Sequence, residues 1–433
     1  MGDTEQPDEI HSGPDTEPVP LSPVSRRERI ASMDVLRGIA VFGIFLINMP
    51  LFIAPSAAFF NWENNPYWTS QADRLATLFV FLFAQGKFYT VFSFLFGLGF
   101  GVQLDRAVAR RAPDFLSVYH RRLLILLVIG LLHFTLVWWG DVLHVYALLG
   151  FALIAIHDRS EHTILVWALC LTLIPCAAAL IGTTHRHLTQ DSQSAEVRNK
   201  AAERKARESK ELAEDLRIYS SGSFVEILLF RLERDGRQLG VDVGWSIELF
   251  ASFLLGLWAA RRHIFTEPRR HLRLLKLLAG VALPAGFAIA VPNLLYAYAH
   301  PGETPPLWQA LLTYIREFIA RPAIAYGYVA ILLLAGVRSW MSPLAAVGRM
   351  ALTNYLLHSL VFTTIVNSYG LGLYGRIHPA QGLLLCVAFF AFQLVLSVWW
   401  LHRYAYGPVE WLWRTLTYGV RQPWMRSPLQ TAD

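Results

Sequence analysis

The sequence predicts an all-α, polytopic membrane protein of about ten transmembrane helices with both termini in the cytoplasm. Three observations carry that expectation. Of 433 residues, 54% are hydrophobic and only 16% charged, against roughly 25% charged in an ordinary soluble domain. Apolar runs recur at the length of about 20 residues that a bilayer core requires. Lys and Arg gather in alternate connections, as they do when the basic loops stay cytoplasmic. The composition excludes disordered and collagenous chains, and a net charge of +6 is small for this length, so no nucleic-acid surface is implied.

Along the chain, residues 1–28 read as a disordered cytoplasmic tail. It carries Asp3, Glu5, Asp8, Glu9, Asp15 and Glu17 and no Lys or Arg before Arg26, the reverse of a signal peptide. Apolar runs follow at about 33–54, 86–104, 120–139, 141–157 and 162–182, and then at 241–260, 274–298, 312–336, 343–366 and 380–401. The stretch Leu75–Ala84 is apolar but too short to cross, so it reads as an interfacial or re-entrant half-helix. Arg26, Arg27 and Arg29 place the amino terminus inside, 104–122 and 261–276 are strongly basic, 55–73 and 299–306 lack Lys and Arg, and 367–379 carries only Arg376. The segments are thus a first five-span half at 29–183, a charged extracytoplasmic loop at 184–240, a second half at 241–420 and a tail at 421–433. In the loop, about Ser194–Ile218 predicts a solvated helix and Phe224–Leu232 an amphipathic one. The two halves share no evident sequence repeat. Cys170, Cys176 and Cys386 lie within apolar runs and suggest neither a disulfide framework nor a metal site.

Charged and polar groups inside spans are costly, so each needs a partner, a wet cavity or a chemical role. Asp34 and Arg37 share a face of the first span and can pair, and Asn48 lies near its outer end. The segment from His133 to Tyr146 is the most informative. A turn at Gly140 predicts that Asp141 caps the next helix, Trp138 and Trp139 read as outer-interface residues, and His133, Asp141 and His144 fall near one rim. A histidine oriented by an aspartate suits general-base catalysis; the same residues also fit a helix cap beside a hydrogen-bonded structural histidine. Lys87 begins the second span after a Gly-broken half-helix. Glu248, Arg316, Glu317 and Arg321 can neutralise one another across helices, and Asn354 and His358 share a face of the ninth span. No phosphate loop, dinucleotide-binding fingerprint, zincin motif or nucleophile elbow is present. Gly97, Gly99 and Gly101 suit close helix packing.

Met33-Asp34-Val35-Leu36-Arg37-Gly38 through Asn48, Gly86-Lys87-Phe88-Tyr89, the His133–Tyr146 segment, Gly348-Arg349-Met350-Ala351-Leu352-Thr353-Asn354-Tyr355 and Tyr406-Gly407-Pro408-Val409-Glu410-Trp411 resemble a YeiB-like family of bacterial integral membrane proteins, a domain of unknown function. The resemblance runs from about Arg29 to Tyr418. That family is distantly similar to the transmembrane acyltransferases, including the acyltransferase-3 group and heparan-glucosaminide acetyltransferase. The similarity implies a plasma-membrane enzyme that moves an acyl group from cytoplasmic acyl-coenzyme A to a membrane or extracytoplasmic acceptor, a sugar or a lipid, with no other cofactor firmly implied. Acyltransferase-3 members carry a functional histidine in the first span, and residues 34–51 contain none, so the role would pass to His133 or His358. The expected site is His133 as base, Asp141 or His144 as its orienter and Lys87 as oxyanion stabiliser. Arg37, Arg121, Arg122 and Arg349 would bind the coenzyme phosphates, with Asp34, Asn48, Glu248, Arg321, Asn354, His358 and Glu410 as polar cavity residues. The alternative is a transporter of an amphipathic solute in which the same groups line a path without chemistry.

Overall fold

A computed structural model describes residues 30–60, 68, 70–189, 195–234, 243–301 and 303–426. The expected tail at 1–28 lies outside the described residues, as do the three arginines within 26–29. Among the described residues the chain is helical, with no β-sheet. Eight segments are long and apolar enough to cross a membrane, and two shorter apolar helices accompany them.

In chain order, the helices are α1 (Ala31–Ile53), α2 (Gln71–Phe83), α3 (Lys87–Ala109), α4 (Phe115–Leu136), α5 (Leu143–Ala155) and α6 (Glu161–Thr189). Outside the bundle come α7 (Ala195–Ser221) and α8 (Phe224–Arg234). The second half holds α9 (Val243–Arg261), α10 (Pro268–Ala299), α11 (Leu307–Ala335), α12 (Ser342–Arg349), α13 (Ala351–Val366), α14 (Pro379–Arg403) and α15 (Pro408–Tyr418).

Helix α1 is the axis of the bundle: 83% of its apolar window is buried, against 17% for α6 and for α10, whose apolar faces are left for lipid. Small residues permit the close crossings. A Cβ on Gly38 would stand 2.0 Å from the Leu344 carbonyl oxygen, and one on Gly348 1.8 Å from that of Asp34, so α1 and α12 touch backbone to backbone. The same holds for α3 against α9, where a Cβ on Gly97 would meet the Phe253 carbonyl at 1.9 Å. Without a hydrophobic drive between helices in lipid, such contacts supply the packing that holds spans together. Gly97→Val is therefore expected to destabilise the fold by about 1–3 kcal/mol, read as a lower thermal midpoint in detergent. Gly182→Ala, with open space around its Cβ position, should leave the midpoint unchanged.

The half-helix before the second span is α2, and the turn that ends it places Gly86 at φ +77° with the Arg321 side chain against its Cα. Only glycine accepts that backbone and that approach together. The span expected at 343–366 is broken at Met350 into α12 and the 16-residue α13, and two further expectations need correction. The span expected at 141–157 is a helix of 13 residues, about 20 Å long and so shorter than a bilayer core of about 30 Å. Trp138 does not lie at an interface; it is buried, its ring 4.4 Å from that of Phe52. Both departures have one cause. The 137–142 turn dips into the protein and is covered from outside by α7 and α8, whose Ile218, Tyr219 and Ile227 join the core around Trp138. Irregular backbone at membrane depth is tolerated when it is buried in protein in this way. Arg231 of α8 seals the turn. Its side chain is buried, it donates to the Val137 carbonyl at 2.8 Å, and it lies over the Tyr219 ring.

Candidate functional site

The dipping turn brings His133, at the end of α4, to the start of α5. Asp141 Oδ1 lies 2.7 Å from His133 Nδ1 and its Oδ2 2.7 Å from His144 Nδ1, while the His144 amide donates to Oδ2 at 3.1 Å. All three side chains are buried. A carboxylate accepts only, so each Nδ1 carries the hydrogen and each Nε2 is left as the basic nitrogen. The Nε2 of His133 has no hydrogen-bond partner among the described residues. This is the arrangement of a base held in one tautomer by an aspartate. The amide contact also makes Asp141 a cap for α5, so the capping and orienting readings are both realised by the same carboxylate.

Below this group lies a cavity of about 240 Å³ between α1, α3, α4, α5, α12, α13, α14 and α15. Its mouth is at the basic ends of these helices, where Arg37, Arg106, Arg122, Arg349 and Arg414 line it together with Asp34 and Glu410. Arg37 pairs with Asp34 at 3.1 Å, and Arg122 donates to Gln103 Oε1 at 2.9 Å with its guanidinium 4.3 Å from the Trp413 ring centre. Inward the wall becomes apolar, through Phe92, Phe96 and Leu126, and the cavity reaches Val142, Leu143, Tyr146 and Tyr355. His133 sits behind Tyr355, ring centres 5.5 Å apart. Along α4, His133 is 11 residues beyond Arg122, about 16 Å farther into the membrane.

Glu410 fastens α15 beside the mouth. Its carboxylate accepts from the Thr353 amide at 2.9 Å and the Thr353 hydroxyl at 2.5 Å, which caps the first turn of α13 from another helix. Burial pushes this carboxyl above its usual value, against the pull of the two Thr353 hydrogen bonds. Glu410→Ala would leave both Thr353 donors unmet and is expected to cost about 1–3 kcal/mol, measurable as a lower thermal midpoint.

The other expected site residues lie elsewhere. Lys87 is not beside His133. Its Nζ donates to the Phe81 carbonyl at 2.6 Å, and its charged neighbours are Arg316, Glu317 and Arg321. Arg321 bridges Glu248 at 2.5 Å and Glu317 at 2.7 Å, and Arg316 holds Glu317 at 2.5 Å. Asn48 accepts from Tyr89 at 3.1 Å. His358 bonds Gln393 at 2.6 Å and stacks on Phe45, and Asn354 donates to Ser397 at 3.1 Å, so this pair ties α13 to α14. Arg121 reaches the Thr417 carbonyl at 3.5 Å and does not line the cavity. Arg106, Arg414, Tyr146 and Tyr355 line it but were not singled out by sequence reasoning. The arginines read as topology signals and the tyrosines as ordinary span residues, and no spacing rule joins side chains from four different helices.

Comparison with known proteins places this architecture. Residues 259–420 match the family model described as "Protein of unknown function (DUF418)". The chain is 34% identical to the uncharacterized protein YxaH of Bacillus subtilis, an alignment covering 93% of this chain and 98% of the relative. It is 30% identical to the uncharacterized protein YeiB of Escherichia coli, over 92% and 98% of the two chains. An uncharacterized 39.9 kDa protein from the amylase 3' region of Bacillus acidopullulyticus is 26% identical over 93% and 98%. No solved structure matches. With relatives of this identity aligned over nearly their whole length, the chain belongs to the YxaH- and YeiB-containing DUF418 family of multi-pass helical membrane proteins.

Proposed function

We propose that the protein is a plasma-membrane acyltransferase that takes an acyl group from cytoplasmic acyl-coenzyme A and passes it to a sugar or lipid acceptor. The observation that carries this reading is the cavity, with five arginines at its mouth and apolar walls leading to Tyr355 in front of the His133–Asp141–His144 group. Arginine forks suit the phosphates of a coenzyme. An apolar passage suits the pantetheine arm and acyl chain, and a histidine oriented by a carboxylate suits activation of an acceptor hydroxyl or amine. Lys87 has no part in the step, because its charge belongs to the Arg321 network.

A transporter would need a path onward past His133. There the space is filled by the Phe52–Trp138 ring pair, under Arg231. That packing favours chemistry at the cavity's end over passage through it.

Binding of radiolabelled coenzyme A to the purified protein tests the reading. The wild type is expected to bind, and Arg122→Glu to weaken binding tenfold or more, a loss that deepens as salt is lowered, since the new charge repels phosphate most when unscreened. Absence of binding by folded wild-type protein, or binding indifferent to the charge reversal, would contradict it.

A further inference from the structure

Resting on that reading, we propose that Tyr355 is a catalytic residue whose hydroxyl donates to the thioester carbonyl oxygen as negative charge develops there. Lys87 was the expected donor, and its place in a separate ion network leaves the reacting centre without one. Three observations point to Tyr355. It is the residue that both lines the inner end of the cavity and touches the His133 ring, with centres 5.5 Å apart and planes inclined by 56°. It is buried, at 6% exposure. Its hydroxyl meets no side-chain hydrogen-bond partner among the described residues, only the backbone of Val142, and His133 Nε2 has no partner there.

A buried imidazole nitrogen without a partner, beside a buried hydroxyl whose hydrogen no side chain accepts, carries a desolvation cost that a structural role does not explain. A nearby tyrosine shows the ordinary solution: the Tyr146 hydroxyl, on the same cavity wall, lies 2.7 Å from Ser93 Oγ. Tyr355 has no such side-chain tie among the described residues, its hydroxyl meeting only the Val142 backbone. A thioester lying along the cavity would meet a hydrogen-bond donor at Tyr355 and a proton acceptor at His133, the two functions an acyl transfer needs at one carbonyl.

The acceptor oxygen or nitrogen attacks the thioester carbon and its proton passes to His133 Nε2. The displaced C=O electron pair comes to rest on the oxygen that Tyr355 O–H contacts. As the carbonyl re-forms, the C–S bond breaks and the coenzyme sulfur takes the proton from His133. Tyr355 keeps its own proton throughout.

The test compares wild type with Tyr355→Phe in proteoliposomes supplied with radiolabelled acetyl-coenzyme A and envelope extract, following thiol release, coenzyme A binding and thermal midpoint together. Tyr355→Phe keeps the ring against His133 and removes only the hydroxyl. The expected result is a fall in kcat of roughly 10²–10³-fold, the usual loss for one oxyanion donor, with coenzyme A affinity and midpoint unchanged. Turnover by Tyr355→Phe within threefold of an active wild type would overturn the assignment and leave the acyltransferase reading intact. Loss of turnover accompanied by lost coenzyme A binding or a lowered midpoint would also overturn it, by making the hydroxyl structural. A folded wild type that releases no thiol would overturn both.

Discussion

Asp141→Asn is expected to lower kcat for acyl transfer by roughly 10³-fold or more, and His133→Ala to match it. Asp141 accepts from two imidazoles and one backbone amide. An asparagine keeps one acceptor oxygen and puts an N–H where the other was, so one histidine must turn its ring or change tautomer. If that ring is His133, its Nε2 becomes a donor and can no longer take a proton. Thiol release from acyl-coenzyme A at saturating substrate measures the effect. The double variant should be no worse than either single one, because residues acting as a unit are not additive.

The second large effect is on stability. Arg321→Met is expected to cost about 3–5 kcal/mol, because it strands Glu248 and leaves Glu317 to Arg316 within the membrane. The readout is the thermal midpoint in detergent and the yield of monodisperse protein. Adding Glu248→Gln should recover part of the loss, since the stranded carboxylate is then neutral. Equal midpoints for wild type and Arg321→Met would show that the network carries no net stabilisation.

Much of the fold was legible because each spanning helix announces itself by length and apolarity. The contacts that depend on neighbours in sequence were legible too. Asp34 with Arg37, and Asp141 with His144, are three residues apart on the chain, and the His133–Asp141 contact spans a single turn. What could not be read is what only tertiary packing decides. Arg231 looks like the polar face of an amphipathic helix, yet it is buried over the 137–142 turn. Trp138 follows the usual habit of interfacial tryptophan until α7 and α8 cover it. Lys87 was grouped with His133 by depth alone, and depth does not say which side of a helix a residue faces. The cavity is assembled from eight helices, so Tyr355 and Arg414 meet there without any pattern in the sequence to join them.

The most direct test of the central claim is consumption of radiolabelled acetyl-coenzyme A by purified wild-type protein in lipid vesicles with envelope extract, beside His133→Ala. The account predicts thioester loss in the wild type, label carried to an acceptor, and neither in the variant. A folded, coenzyme A-binding wild type that consumes no thioester, or a His133→Ala variant that consumes it as fast, would contradict the account.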